Sequence, residues 1–382
     1  MENVLLFQHV DSYGARLRME GISAYAREAG WNVQSYEEHV NADSLAEISA
    51  LWRPIGAIIG PSTGHVEYDT GLFSPESTVL LDCFPAEGLE RYTTVITDSI
   101  TATERVAREL LTARCAAYGF VPWPNTRVWS ENRRHNFAKI LTAQGRKLNV
   151  FEPSRQDLEV REFQRELIPW LKALPKPCGI YAANDRVGTY VLSACKLAQV
   201  EVPFDCIVIG VDNNEKVCEG ENPTLTSITL DFYGSGYLAA QKLDELVHGR
   251  LPDKPIISLP PLEFVRRNSS RHFLQTDRDV LRASEMIRAR ACEGLTAQDV
   301  LALFPCSRRL AEIRFRKATG RSVLEEIRAV RIERAKQLLK DPHRALSVVA
   351  GLCGYESDTT FRRIFKEATG MTLREYQLSL RR

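Results

Sequence analysis

Phe315-Arg316-Lys317-Ala318-Thr319-Gly320 and Phe365-Lys366-Glu367-Ala368-Thr369-Gly370 stand 50 residues apart and share one pattern. The register extends back to Ser307 and Ser357 and forward to Glu325 and Glu375. A fixed-period repeat comes first because each copy is one supersecondary unit, whatever its individual residues do. Each copy reads as a helix opened by a serine that can cap the first turn and closed by a glycine suited to a left-handed C-terminal residue. Residues 280–291 and 297–303 add two helices before the first copy. Residues 323–340 form one long helix between the copies, with Leu324, Ile327, Val330 and Leu338 as its apolar positions and Asp341-Pro342 as its stop. Residues 347–353, the turn at Gly354-Tyr355, the helix from 357 to 369 and a closing helix at 373–380 repeat the arrangement. The spacing predicts an all-α C-terminal domain with two helix-turn-helix units.

At 382 residues the chain exceeds one ordinary core and fits two or three domains. A hydrophobic content of 44% and a charged content of 26% describe a soluble globular protein. The net charge of +1 is a balance of unlike parts: residues 276–382 carry +8 and the rest −7. Such asymmetry points to a basic module that meets a polyanion, joined to a body with another task. The nine cysteines are scattered, without CxxC pairs or metal-ligand spacing, and read as small core residues of a reducing compartment. No leader-like segment opens the chain and no apolar run approaches the ~20 residues a membrane span needs, so a cytoplasmic location is expected.

The body alternates strands and helices. Residues 4–8, 57–59, 79–81, 116–121, 179–182 and 207–211 read as strands; 16–30, 100–113, 133–144, 163–173 and 186–198 read as helices. That alternation implies doubly wound parallel sheets in two consecutive α/β halves. Open parallel sheets bind ligands beyond the carboxyl ends of their strands. The polar residues there are Gln8-His9-Val10-Asp11, Asp82, Asn184-Asp185 and Asp212-Asn213. Acids and amides suit a polyhydroxylated ligand, and they equally suit helix caps and turns.

The segment from Gly179 through Asn184-Asp185-Arg186 to Gly210-Val-Asp212-Asn213 resembles the LacI/periplasmic-binding-protein fold, as do Val95-Ile-Thr-Asp98 and residues 260–267. The resemblance covers roughly residues 3–268 and implies a sugar effector in an interlobe cleft. Carried over by position, Asn184 and Asp212 match the cleft amide and acid, Arg133 the cleft arginine, and Asp82 an acid of the first lobe. Asp11, Tyr13 and Arg16 lie near a Tyr-x-Arg-type signature of sugar-sensing relatives, here one residue longer. In the tail, Gly354-Tyr355, Ser357, Phe361, Phe365, Gly370, Thr372 and Tyr376 resemble the AraC/XylS signature. That resemblance implies a DNA-binding domain whose groove-facing positions are Ser307, Arg308, Arg309 and Glu312 in the first unit and Ser357, Asp358, Thr359, Arg362 and Arg363 in the second. Ile313 stands in the first unit where the second has Arg363.

An effector body followed by such a tail resembles xylose-responsive regulators of the XylR type. The expected plan is a two-lobed α/β effector domain at 1–268, a linker at 269–276 and an all-α DNA-binding domain at 277–382. The expected partners are double-stranded DNA, a monosaccharide such as xylose, a second copy in a homodimer and RNA polymerase, with no membrane. No catalytic residue, cofactor or metal is expected, and activation is the expected sign. The alternative is a cytoplasmic sugar-binding protein, or an α/β sugar enzyme with an accessory basic helical domain. No phosphate loop follows the first strand, and Gly234-Ser-Gly236 is weak as a nucleotide signal.

Overall fold

The computed structural model describes residues 2–8, 12–37, 41–60, 73–83, 90–125, 127–155, 158–250, 255–270, 278–341 and 345–379. It divides into two units, Met1–Arg271 and His272–Arg382. The first holds two six-stranded sheets. One contains β1 (Glu2–Phe7), β2 (Trp31–Tyr36), β3 (Gly56–Ile59), β4 (Thr78–Leu81), β5 (Thr93–Thr97) and β11 (Ile256–Leu259), all parallel, in the order β11-β5-β4-β3-β1-β2. The other contains β6 (Ala117–Val121), β7 (Leu148–Val150), β8 (Cys178–Ala182), β9 (Cys206–Val211), β10 (Thr226–Ile228) and β12 (Phe264–Val265), in the order β12-β10-β9-β8-β6-β7, with only β12 antiparallel.

Side-chain alternation explains why both faces are covered. Val4, Leu6, Ile58, Val79 and Leu81 point to one face of the first sheet and are buried by α1 (Tyr13–Ala29) and α8 (Phe232–Val247). Leu5, Phe7, Ala57, Ile59 and Leu80 point to the other, where α2 (Ala42–Trp52) packs with Leu45, Ile48 and Trp52. Strands buried on both sides read as near-continuous apolar runs, as residues 4–7, 57–59 and 79–81 do. In the second lobe Val106 and Leu110 of α3 (Ser99–Thr112), Phe137 and Leu141 of α4 (Val128–Ala143), Phe163 and Leu167 of α5 (Val160–Ala173), and Val187 and Val191 of α6 (Asp185–Ala198) enclose its sheet.

The lobes are interleaved, which corrects the expectation of two consecutive halves. The chain crosses between β5 and α3, returns between β10 and α8, and crosses again between β11 and β12. The crossings hydrogen-bond to one another: Asp98 N–H donates to the Leu259 carbonyl at 2.8 Å, and Thr229 N–H to that of Glu263 at 2.7 Å. Ser269 and Ser270, read as linker, are buried in the second lobe, where the Ser269 hydroxyl donates to the Val208 carbonyl at 2.6 Å. Gly236, weak as a nucleotide signal, serves packing instead. A Cβ there would come within 2.1 Å of the Arg18 carbonyl oxygen, and one at Gly21 within 2.1 Å of that of Tyr233. The two glycines let α1 and α8 meet backbone to backbone.

The second unit comprises α9 (Arg278–Arg290), α10 (Ala297–Leu301), α11 (Arg308–Thr319), α12 (Val323–Leu339), α13 (Leu346–Leu352), α14 (Asp358–Thr369) and α15 (Leu373–Ser379). The repeat is reproduced in its caps. Gly320 and Gly370, at φ 78° and 74°, each donate to the carbonyl four residues back at 2.8 Å. Thr319 and Thr369 hydroxyls donate to the Phe315 and Phe365 carbonyls, both at 2.8 Å. Among the described residues no helix is long and apolar enough to cross a membrane.

Candidate functional site

Each lobe delivers a strand-end aspartate and a buried arginine to the interlobe cleft. In the first, Asp82 follows β4 in a left-handed conformation, φ 50°. Its carboxylate accepts from the Arg18 guanidinium, from the Thr97 N–H at 2.6 Å and from the Thr97 hydroxyl at 3.0 Å. Arg18, on α1, lies 4.6 Å from the centre of the Phe232 ring. In the second, Asp212 follows β9 at φ 107° and lies 3.9 Å from Arg133. Arg133, on α4, donates to the Ala183 carbonyl at 2.5 Å and lies 5.0 Å from the centre of the Trp129 ring. The Nε of both arginines is buried and, among the described residues, without a protein partner. A buried donor left unpaired is costly, so a ligand oxygen is favoured at each.

The two halves sense one another electrostatically. Burial pushes the Asp212 carboxyl up to about 6, while Arg133 and Arg18 pull it down and Asp82 raises it. Asp185, which accepts from the Asn214 N–H at 2.7 Å, is pushed up to about 8 by burial and then by the Asp212 charge. At the first turn of α1, the Tyr13 hydroxyl is raised by burial and by Asp212 and Asp185 of the opposite lobe. Among the described residues no His, Cys, Asp and Glu cluster could hold a metal ion.

Of the residues expected here, Tyr13, Asp82, Arg133 and Asp212 come together. Arg16 is exposed. Arg18 stands beside Asp82 in its stead, because two residues on a helix differ by about 200° in direction. The sequence did carry a signal for Arg18: it is the one charge on the stripe Gly14, Ala15, Gly21 and Ile22 that α1 buries. Asn184 caps α6, its side-chain oxygen accepting from the Val187 N–H at 3.0 Å, which leaves its NH2 group for a ligand. Asp11 lies outside the described residues.

On the helices that repeat, Arg308, Arg309, Asp358, Thr359, Arg362 and Arg363 are exposed. Arg362 pairs with Asp358 at 2.6 Å and Arg363 with Glu367 at 2.7 Å; surface pairs of this kind are weak and exchange readily for phosphate or base contacts. The Ser307 and Ser357 hydroxyls serve as caps, accepting from the Leu310 and Thr360 N–H groups at 3.4 and 3.3 Å. Glu312, expected to face outward, is half-buried and accepts from the Val323 N–H at 3.2 Å, where the start of α12 offers an unpaired donor. Leu310 and Ile313 are 48% and 54% exposed, so the first unit presents an apolar strip where the second presents Thr360 and Arg363.

Residues 107–270 match the periplasmic binding protein-like domain, and residues 300–379 a helix-turn-helix domain. The xylose operon regulatory protein of Haemophilus influenzae is 28% identical over 98% of this chain and 97% of its own length. The protein of the same name in Escherichia coli K12 is 29% identical over 69% of this chain and 67% of its own. The chain is a XylR-like transcription regulator. The solved structure of a xylose-binding transcription activator, XylR, superposes with a TM-score of 0.70 at 23% identity, covering 99% of this chain and 98% of that one, which supports the fold from end to end. These relatives are regulators and not enzymes, and the regulator's helix-turn-helix units make it a DNA-binding protein.

Proposed function

We propose that the regulator binds a neutral monosaccharide, with xylose the first candidate, between Tyr13, Arg18 and Asp82 on one lobe and Arg133, Asn184 and Asp212 on the other. The observation that carries this reading is the matched Arg–Asp pair on each lobe, each with a buried Nε–H that has no partner among the described residues. Each arginine faces a carboxylate, so neither is left as a surplus cation for a sugar acid or phosphate. Xylose enters from the names of the relatives. Sugar favours the closed form by its greater affinity for it, and closure biases the geometry of a homodimer whose tails read promoter half-sites and recruit RNA polymerase as an activator. The effector domain ends near residue 270 and the DNA-binding domain begins near 278.

At the DNA, Arg308, Arg309, Asp358, Thr359, Arg362 and Arg363 supply the contacts, and the caps Ser307 and Ser357 set the helix ends. Arg363 reads a guanine edge, whereas Ile313 offers only an apolar contact suited to a thymine methyl. Thermal unfolding against pentoses, hexoses, sugar acids and sugar phosphates tests the effector: xylose should raise Tm, and stabilisation by charged sugars alone overturns the reading. Binding-site selection tests the rest. Arg363→Ala should relax preference at one base pair by about 1–3 kcal/mol, whereas Arg308→Ala should weaken all sequences alike.

A further inference from the structure

The helix α12 belongs to two cores. Its first half places Val323 and Ile327 beside Phe304 and Phe315; its second places Ile332, Ala335, Leu338 and Leu339 beside Phe361 and Phe365. Among the described residues no buried side chain is common to both cores. Apolar packing therefore holds each helix-turn-helix unit to α12 but does not hold one unit to the other.

Arg331 sits on α12 at that seam. Its Nε donates to the Ala291 carbonyl at 2.7 Å and an Nη to the Leu295 carbonyl at 3.1 Å, both residues of the first core. Its guanidinium lies 5.0 Å from the ring centre of Tyr355, which packs on the second. Beside it Gly354, at φ 73°, lies so near Cys292 that a Cβ would come within 2.8 Å of the latter's backbone. A planar fork that donates in two fixed directions and stacks on a third group leaves little freedom of rotation.

We propose that Arg331 is the positioning residue that fixes the angle between α11 and α14, and so the base-pair spacing the regulator accepts. The inference rests on the reading that both units contact DNA. The surrounding geometry explains why a lysine cannot substitute: an ammonium keeps the charge but loses both the fork and the stack.

The test uses the full chain and duplexes selected from random DNA by the wild-type protein, then lengthened by one or two base pairs between the two contacted elements. Each added pair turns one element by about 34°. Wild type should lose about tenfold or more in affinity on the longer insertion. Arg331→Lys and Arg331→Ala should bind the selected duplex more weakly and show an insertion penalty below about threefold. Arg331→Lys should also keep the wild-type salt slope, since its charge is unchanged. An unaltered spacing profile in Arg331→Lys overturns the inference even where Arg331→Ala fails to fold. A wild-type profile indifferent to spacing overturns instead the reading that both units contact DNA.

Discussion

The two walls of the cleft use the same parts in different states. In the first lobe Asp82 is saturated: Arg18, the Thr97 N–H and the Thr97 hydroxyl all donate to it. In the second, Asp212 has Arg133 only at 3.9 Å, and burial holds its carboxyl near 6. A saturated carboxylate arrives at the cleft already fixed in place and gains less from each further donor. A strained, under-donated one gains most when hydroxyl groups arrive. Similar residues at similar strand ends thus divide into a wall whose pair is already made and a wall whose pair the effector completes.

The largest effect that would break this contrast concerns stability. Asp82→Ala strands a buried arginine and should lower the unfolding free energy by about 3–5 kcal/mol. Asp212→Ala should cost much less in the same denaturant titration, and equal losses would erase the distinction. Sugar affinity comes next: Asp212→Ala and Arg133→Ala should each weaken binding by roughly 1.5–3 kcal/mol in calorimetry, and unchanged affinity in both variants moves the site elsewhere. Acidity sharpens the comparison further. Asp212 accepts as a carboxylate above about 6 and loses that charge as pH falls through this value. One pH unit below it, affinity should be about tenfold weaker than at alkaline pH, and Asp212→Asn should flatten the profile. The smallest effect belongs to Thr97→Val, which removes one of three donors to Asp82 and should cost about 0.5–1.5 kcal/mol of stability without touching affinity.

The tail was legible nearly in full because its information is local: a serine cap, a phenylalanine on the buried face and a glycine at the C-terminal turn recur at one period. The lobes were legible as strands and helices but not as an arrangement. Which lobe α8 joins depends on Gly21 and Gly236 meeting helix to helix across more than 200 residues of chain, and no periodicity records such a partner. The site divided in the same way. The strand-end positions of Asp82 and Asp212 were legible because strand ends can be counted. Arg18, buried beside Asp82, was not singled out because a resemblance in spacing pointed to Arg16 while the buried face of the helix carries Arg18. Glu312 was misread because its partner, the Val323 N–H, becomes an open donor only once α12 has formed.

The interleaved chain path also bears on how the protein is made. Val4, Ile58, Val79 and Val95 are synthesised early, yet Ala239, Ala240 and Leu243, which cover them, belong to α8 and are translated about 140 residues after β5. At usual elongation rates that is a delay on the order of ten seconds, during which five of the six strands of the second lobe's sheet are made. Both lobes are closed only after α8, the first by β11 and then the second by β12. A chain interrupted between residues 98 and 231 would therefore carry a parallel sheet covered by α1 and α2 but open where α8 packs, a species that chaperones must hold and proteases must clear.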